Sequence, residues 1–243
     1  MFKKTKFVHT TEMESIKRVQ AKELVDVLMK LFTPSSVADV GCGTATMLNE
    51  FKKRKVLVHG YDGKWANKEL LFQNIEPSEF TECDLEKPLA IKGKVDLVLC
   101  LEVAEHLSAA RADGLVKDLA SMADVVVFSA AIPRQGGQNH INEQWPSYWQ
   151  GRFAQYGFQC HDVLKSLLCD NEKILWWYRQ NMVVYTKNTV VIEPELLHKQ
   201  NYLTNVIHPV LFSTVVDYRE KNAVKRFLKG FIKALLYKAK IIR

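Results

Sequence analysis

No run of about 18 consecutive apolar residues occurs in the chain, so no segment is long enough to cross a bilayer as a helix. The amino end, Met1 to Lys6, lacks the apolar core of a secretory signal. Five cysteines, Cys42, Cys83, Cys100, Cys160 and Cys169, are odd in number and show no C-x-x-C spacing, which argues against a disulfide framework. A reduced cytoplasmic setting is the expectation. Internal repeats and low-complexity segments are also lacking. Acidic side chains are missing from Ala223 to Arg243, which hold seven basic residues. Because the whole chain carries a net charge of +7, the remainder is neutral. The body therefore lacks the basic surface of a nucleic-acid binder, and no nucleic-acid partner is expected.

What is present is a chain of 243 residues, 47% of them hydrophobic, enough to bury a full core. We read one domain over residues 1–190 and an extension over 191–243. An amphipathic stretch from about Glu12 to Phe32 predicts a leading helix that stops before Pro34. Apolar runs follow at Val37–Val40, Val56–Tyr61, Asp96–Leu101 and Val125–Ala130, separated by segments able to form helices. This alternation predicts a parallel α/β sheet. Ser129 to Gln150, punctuated by Pro133, Gly136, Gly137 and Pro146, reads as a loop followed by a short helix. Runs near Phe158–Asp162 and Asn181–Tyr185 predict two last strands, pairing as an antiparallel hairpin at the sheet edge. The Trp176-Trp-Tyr178 run reads as a core anchor for them.

The most informative stretch is Val37-Ala-Asp-Val-Gly-Cys-Gly-Thr-Ala45, a buried strand entering glycines and then a helix near Thr44. Glycines admit backbone angles closed to other residues and let a ligand approach the main chain, and the helix start attracts a carboxylate or phosphate. Asp62 ends the next strand, where an acid can accept hydrogen bonds from ribose hydroxyls. A dinucleotide fingerprint would need a third glycine at the position held by Thr46.

The stretch resembles instead the first motif of the class I S-adenosylmethionine-dependent methyltransferases, D/E-x-G-x-G-x-G, represented by Asp39, Gly41, Gly43 and Ala45. The resemblance runs from about Val37 to Tyr185. It continues through Asp62, through Cys83-Asp84-Leu85 after the third strand, and through Asp96-Leu-Val-Leu-Cys-Leu-Glu-Val-Ala-Glu-His-Leu107. It implies a Rossmann-like, doubly wound seven-stranded sheet with the last strand antiparallel. It implies S-adenosyl-L-methionine as cofactor, held by Asp39, Gly41, Gly43, Asp62, Asp84 and Leu85, with Asp84 near the adenine amino group. Leu101 and Glu102 are expected to line the pocket, Glu102 with the alternative role of capping the following helix.

Methyl transfer to a hydroxyl needs alignment, exclusion of water and a base to take the proton. The irregular segment Pro133 to Trp149 lies where loops face the ligand crevice. His140 is the candidate base, with Glu143 orienting it or binding a hydroxyl, and His106 stands second as a residue opening a helix. Arg134, Asn142, Trp145, Tyr148 and Trp149 form a polar and aromatic set suited to sugar rings and hydroxyls. Similar G-G-x-x-H-x-N-E-x-W segments occur in family members associated with surface-polysaccharide and other glycan methylation. The expected activity is O-methylation of a sugar hydroxyl of a glycan or glycolipid precursor. Glu-Val-Ala-Glu-His also resembles the branch acting on quinone precursors, so a small-molecule acceptor is the alternative, and a non-catalytic cofactor-binding protein a further one. The N/D-P-P-Y/F motif of nucleobase-amine methyltransferases is missing after the fourth strand. His140 and Glu143 are too few to argue a metal site, and none is expected.

In the extension, Val224, Phe227, Leu228, Phe231, Ile232, Leu235 and Leu236 recur at helical steps among lysines and arginines. Such a cationic amphipathic helix suits an anionic membrane surface at the cytoplasmic face, or packing against protein. The oligomeric state is not encoded in any feature we find.

Overall fold

The computed structural model describes residues 11–190, 207, 210–213 and 228. The chain divides into two units, Met1–Asn205 and Val206–Arg243. In the second, only Ile207, Val210–Ser213 and Leu228 are described, so the basic helix predicted there lies outside the described residues apart from Leu228. Among the described residues, no helix is long and apolar enough to cross a membrane.

The first unit opens with α1 (Thr11–Phe32), which buries Ala21, Leu24, Val25 and Leu28 along one face. It ends where Thr33 turns left-handed ahead of Pro34, which cannot continue a helix. Then follow β1 (Ser36–Val40), α2 (Thr46–Lys53), β2 (Leu57–Asp62), the one-turn α3 (Lys68–Leu71), β3 (Phe80–Glu82) and β4 (Leu97–Leu101). After β4 come α4 (Ala112–Met122), β5 (Val125–Ser129), α5 (Pro146–Ala154), β6 (Phe158–His161), α6 (Val163–Leu168), α7 (Trp176–Asn181) and β7 (Val183–Lys187). The central strands are apolar at nearly every position because both faces of a parallel sheet are covered by helices. In β5 all five residues are buried.

The seven strands lie in the order β3-β2-β1-β4-β5-β7-β6. Six run in the same direction, and β7 alone runs antiparallel, between β5 and β6. This is the expected doubly wound sheet. The last two strands do pair antiparallel, with Cys160 opposite Tyr185. They are not a simple edge hairpin, however, because α6 and α7 intervene and β7 inserts beside β5, leaving β6 at the edge. The Trp176 run opens α7 rather than a strand. Two apolar layers cover the sheet: one holds Leu115, Leu119, Phe128 and Phe153, the other Leu24, Leu28, Leu48 and Val127. All five cysteines are free. Sheet order reverses at β1 and β4, so the crevice above their carboxyl ends is the natural ligand position.

Candidate active site

At the end of β1, Gly41 (φ 84°) and Gly43 (φ 56°) adopt left-handed angles that favour glycine. The two glycines serve different ends. A Cβ on Gly41 would stand 2.3 Å from Val103 Cγ2, so the protein's own packing excludes a side chain there. A Cβ on Gly43 would meet nothing within 4 Å, so its main chain is open to a ligand. The N–H groups of Gly41 and Cys42 both donate to the Tyr61 carbonyl, at 2.7 and 3.2 Å, tying the loop to the end of β2.

Asp62, at that same end, accepts from the Gly43 N–H at 2.7 Å and from the Gly63 N–H at 2.6 Å. Burial raises its carboxyl above the ordinary range, and the two N–H groups and the Trp65 side chain oppose that rise. Trp65 lies flat against Gly63, where a Cβ would stand 2.3 Å from the indole, yet the residue is 41% exposed. An exposed aromatic face beside the ribose-type acid is a candidate cofactor contact that sequence reasoning missed. Its only signal is an aromatic three positions after the acid.

Asp39 is buried, and its carboxyl is pushed up to about 8 by burial and then by the neighbouring Asp62 charge. Asp84, by contrast, is half exposed, and its Oδ1 accepts from the Glu86 N–H at 3.1 Å. The segment after it is clamped from below: Arg111 Nε donates to the Leu85 carbonyl at 2.7 Å and the guanidinium pairs with buried Asp118. The Leu85 side chain is 2% exposed within the core. Leu101 is partly buried against the opposite apolar layer.

Beyond β4 the chain does not enter a helix directly. Glu102 turns left-handed (φ 55°), and its N–H bonds the Ser129 carbonyl and hydroxyl, both at 3.0 Å. Its carboxylate accepts from Asn181 at 3.1 Å and from Gln135 at 3.3 Å, so it does not cap a helix. Ala104–His106 forms one 3-10 turn, not the start of the expected helix, and α4 begins only at Ala112. Glu105 in this turn is fully buried, and its carboxyl is pushed up to about 9 by burial and by the Glu102 charge. The same carboxylates, with Asp39, push the Tyr178 hydroxyl upward after burial itself.

The loop from Ile132 to Trp145 closes over this turn. The N–H groups of Ile141 and Asn142 donate to the Glu105 carbonyl, at 2.8 and 3.0 Å. Glu143 accepts from the N–H groups of Arg134 and Gly136, both at 2.7 Å, and meets His140 Nδ1 at 3.0 Å. The His140 ring lies over Gly137, where a Cβ would stand 2.2 Å away, and packs edge-to-face on His106 with centroids 4.9 Å apart. His106, His140 and Glu143 therefore come together.

The proposed sugar-binding set divides. Arg134 is exposed, and Trp145 is half-buried at the mouth of α5. Tyr148 carries the Arg152 guanidinium 3.4 Å above its ring centroid and the Trp149 ring at its edge. Trp149 itself is 2% exposed and packs on Phe128. Asn142 is likewise buried, bonding Gln144 and the Ala104 carbonyl.

Residues 13–165 match the family model of a methyltransferase domain. The chain is 30% identical over 142 residues to the chloroplastic magnesium protoporphyrin IX methyltransferase of Arabidopsis thaliana, a match spanning 51% of this chain and 45% of that protein. The chain thus spans less than half the length of this relative. Among solved structures, an amino pentose methyltransferase of Micromonospora echinaspora involved in calicheamicin biosynthesis, with S-adenosylmethionine bound, superposes with TM-score 0.54 at 14% identity. That likeness covers 76% of this chain and 100% of the other. Magnesium protoporphyrin IX methyltransferase of Synechocystis PCC 6803, with S-adenosylhomocysteine bound, gives TM-score 0.52 at 16% identity, covering 76% and 90%. At such identities the likeness is one of fold, and it agrees with the sheet order found here. The matched family covers the glycine loop, both flanking acids and the turn after β4. The chain belongs to the methyltransferase domain family.

Proposed function

We propose that the enzyme methylates a hydroxyl oxygen of a sugar in a glycan or glycolipid precursor. The observation that carries this reading is the His140–Glu143 pair, 3.0 Å apart and linked to the glycine loop through the turn after β4. The path between them is short: Gly41 packs on Val103, the turn Ala104–His106 follows, and His106 touches His140. The cofactor, when bound, supplies an already activated methyl group. In this reading Gly43 offers open main chain to it, Asp62 and Trp65 hold its nucleoside, and Asp39, Asp84, Leu101 and Glu102 complete its surroundings. Glu143, fixed by two loop N–H groups, holds the His140 ring toward the acceptor, and His140 takes the hydroxyl proton as the oxygen reacts. Arg134 and Trp145, at the rim of the loop, are the remaining candidates for acceptor contacts. His140→Ala is expected to cut transfer by roughly 10²–10⁴-fold while affinity for S-adenosylhomocysteine stays near that of the wild type. Normal turnover in that variant would remove His140 from the reaction.

A second reading, O-methylation of a small metabolite, is favoured by one observation: the relative at 30% identity is named for a magnesium porphyrin. The two differ in where the methyl label ends. For Ala223–Arg243, we read a helix that holds the enzyme to an anionic membrane at its cytoplasmic face, which would suit a lipid-linked acceptor.

A further inference from the structure

Beneath the acceptor loop, Glu105, which has no part in the scheme above, stands beside His106 and His140. Glu105 is 0% exposed, and its carboxyl lies against that of Glu102, so that two buried acids share one position. A carboxylate buried in this way is strongly unfavourable unless it is neutralised or faces a cation. His106 follows it in the chain, and His140 is brought to it by the loop that bonds the Glu105 carbonyl. One ligand atom from each of Glu105, His106 and His140 lies within 4.8 Å of the other two.

The structure assigns to Glu105, His106 and His140 a site for one divalent first-row cation of the Mn²⁺ or Zn²⁺ type. Two imidazoles and a carboxylate are a three-ligand set that leaves a coordination position open. The residues behind them fit the same use. A metal-bound imidazole is commonly held by a hydrogen bond from its second nitrogen to a carboxylate or a carbonyl. His140 Nδ1 meets Glu143 at 3.0 Å, and His106 Nδ1 faces the Asn139 carbonyl at 3.4 Å. Glu143 is in turn fixed by the Arg134 and Gly136 N–H groups, so it orients rather than ligates. Glu102, whose charge acts on Glu105, adds negative potential beside the position. Ligand bonds of about 2.0–2.2 Å would bring the three atoms nearer one another than they now stand, a change that side-chain rotation on the exposed loop can supply.

The cation's use rests on the hydroxyl-methylation reading, though its binding does not. An acceptor hydroxyl in the open position would lose its proton to water, and the resulting oxygen would bond the methyl carbon as the carbon–sulfur bond breaks and the sulfur leaves with its electron pair as S-adenosylhomocysteine. With the cation bound His140 is a ligand; without it His140 takes the proton itself.

The test uses the full chain, stripped with a chelator, dialysed and titrated with Mn²⁺ while free Mn²⁺ is read by electron paramagnetic resonance. One Mn²⁺ per chain is expected, displaced by Zn²⁺. Glu105→Gln and His106→Ala should each weaken it at least about tenfold. Both variants should retain S-adenosylhomocysteine affinity, which shows that they fold. No saturable binding of Mn²⁺ or Zn²⁺ at millimolar concentration, or binding unmoved in both variants, would overturn the site. Because neither acceptor nor turnover enters this measurement, its failure is distinct from failure of the acceptor reading.

Discussion

Adding a single methyl group at either glycine of the β1 loop should separate packing from ligand binding. Gly41→Ala places a Cβ 2.3 Å from Val103 Cγ2 at a φ of 84°. Left-handed strain costs about 1–2 kcal/mol, and overpacking adds about 1–3 kcal/mol. Together they should lower the melting temperature by roughly 4–20 °C for a chain of this size. Gly43→Ala meets no protein atom within 4 Å, so only the strain applies and the expected fall is roughly 2–8 °C. Its methyl projects instead into the space assigned to the cofactor. Losing one or two main-chain contacts of about 1 kcal/mol each would weaken S-adenosylhomocysteine binding about five- to thirtyfold. The assay is calorimetric titration beside thermal unfolding for both variants, with Val103→Ala added to Gly41→Ala as a check. The smaller side chain should recover part of the stability lost at Gly41, since the contact is with the Val103 methyls. Wild-type affinity in Gly43→Ala would refute the assignment of that open face to the ligand.

Other consequences can be checked separately. Asp39, raised from its ordinary 3.8 to about 8 in the folded chain, binds a proton that the unfolded chain releases over that interval. Wild-type stability relative to Asp39→Asn should therefore fall as pH rises from about 4 to about 8, and melting curves showing no widening gap would contradict the burial argument. Gly137→Ala should reduce turnover by displacing the His140 ring, which stands 2.2 Å from the new Cβ, with little change in cofactor affinity; unimpaired turnover would show that the ring position is unimportant. Deleting Ala223–Arg243 should abolish sedimentation with anionic vesicles and leave transfer to a water-soluble acceptor intact. Sedimentation equal to that of the full chain would end the membrane reading.

The sheet could be read from the chain because central parallel strands are largely apolar runs, and β1, β2, β4 and β5 each end at, or just before, a glycine, acid or polar residue where the crevice opens. The glycine loop was legible for a related reason: strand, left-handed turn and helix leave few alternatives for Gly41 and Gly43. The acceptor loop was only partly so. Trp149 and Tyr148 are neighbours on one short helix, and which of them turns inward depends on Phe128, a β5 residue distant in sequence. Glu105 was passed over because Glu-Val-Ala-Glu-His reads as the opening of a helix. Its burial comes from a loop more than thirty residues later that bonds its carbonyl. Trp65 was missed because a lone tryptophan after an acid has no periodic pattern; only the side chain's fold back onto Gly63 gives it meaning.

The acceptor assignment is tested most directly by incubating the enzyme with methyl-labelled S-adenosylmethionine and its host's glycolipid, small-metabolite and RNA fractions, then treating each product with mild alkali. Label in a sugar-containing product that survives alkali, as a methyl ether does, and that is missing with His140→Ala, is the predicted result. Label confined to RNA, or released by alkali as from an ester, would contradict it.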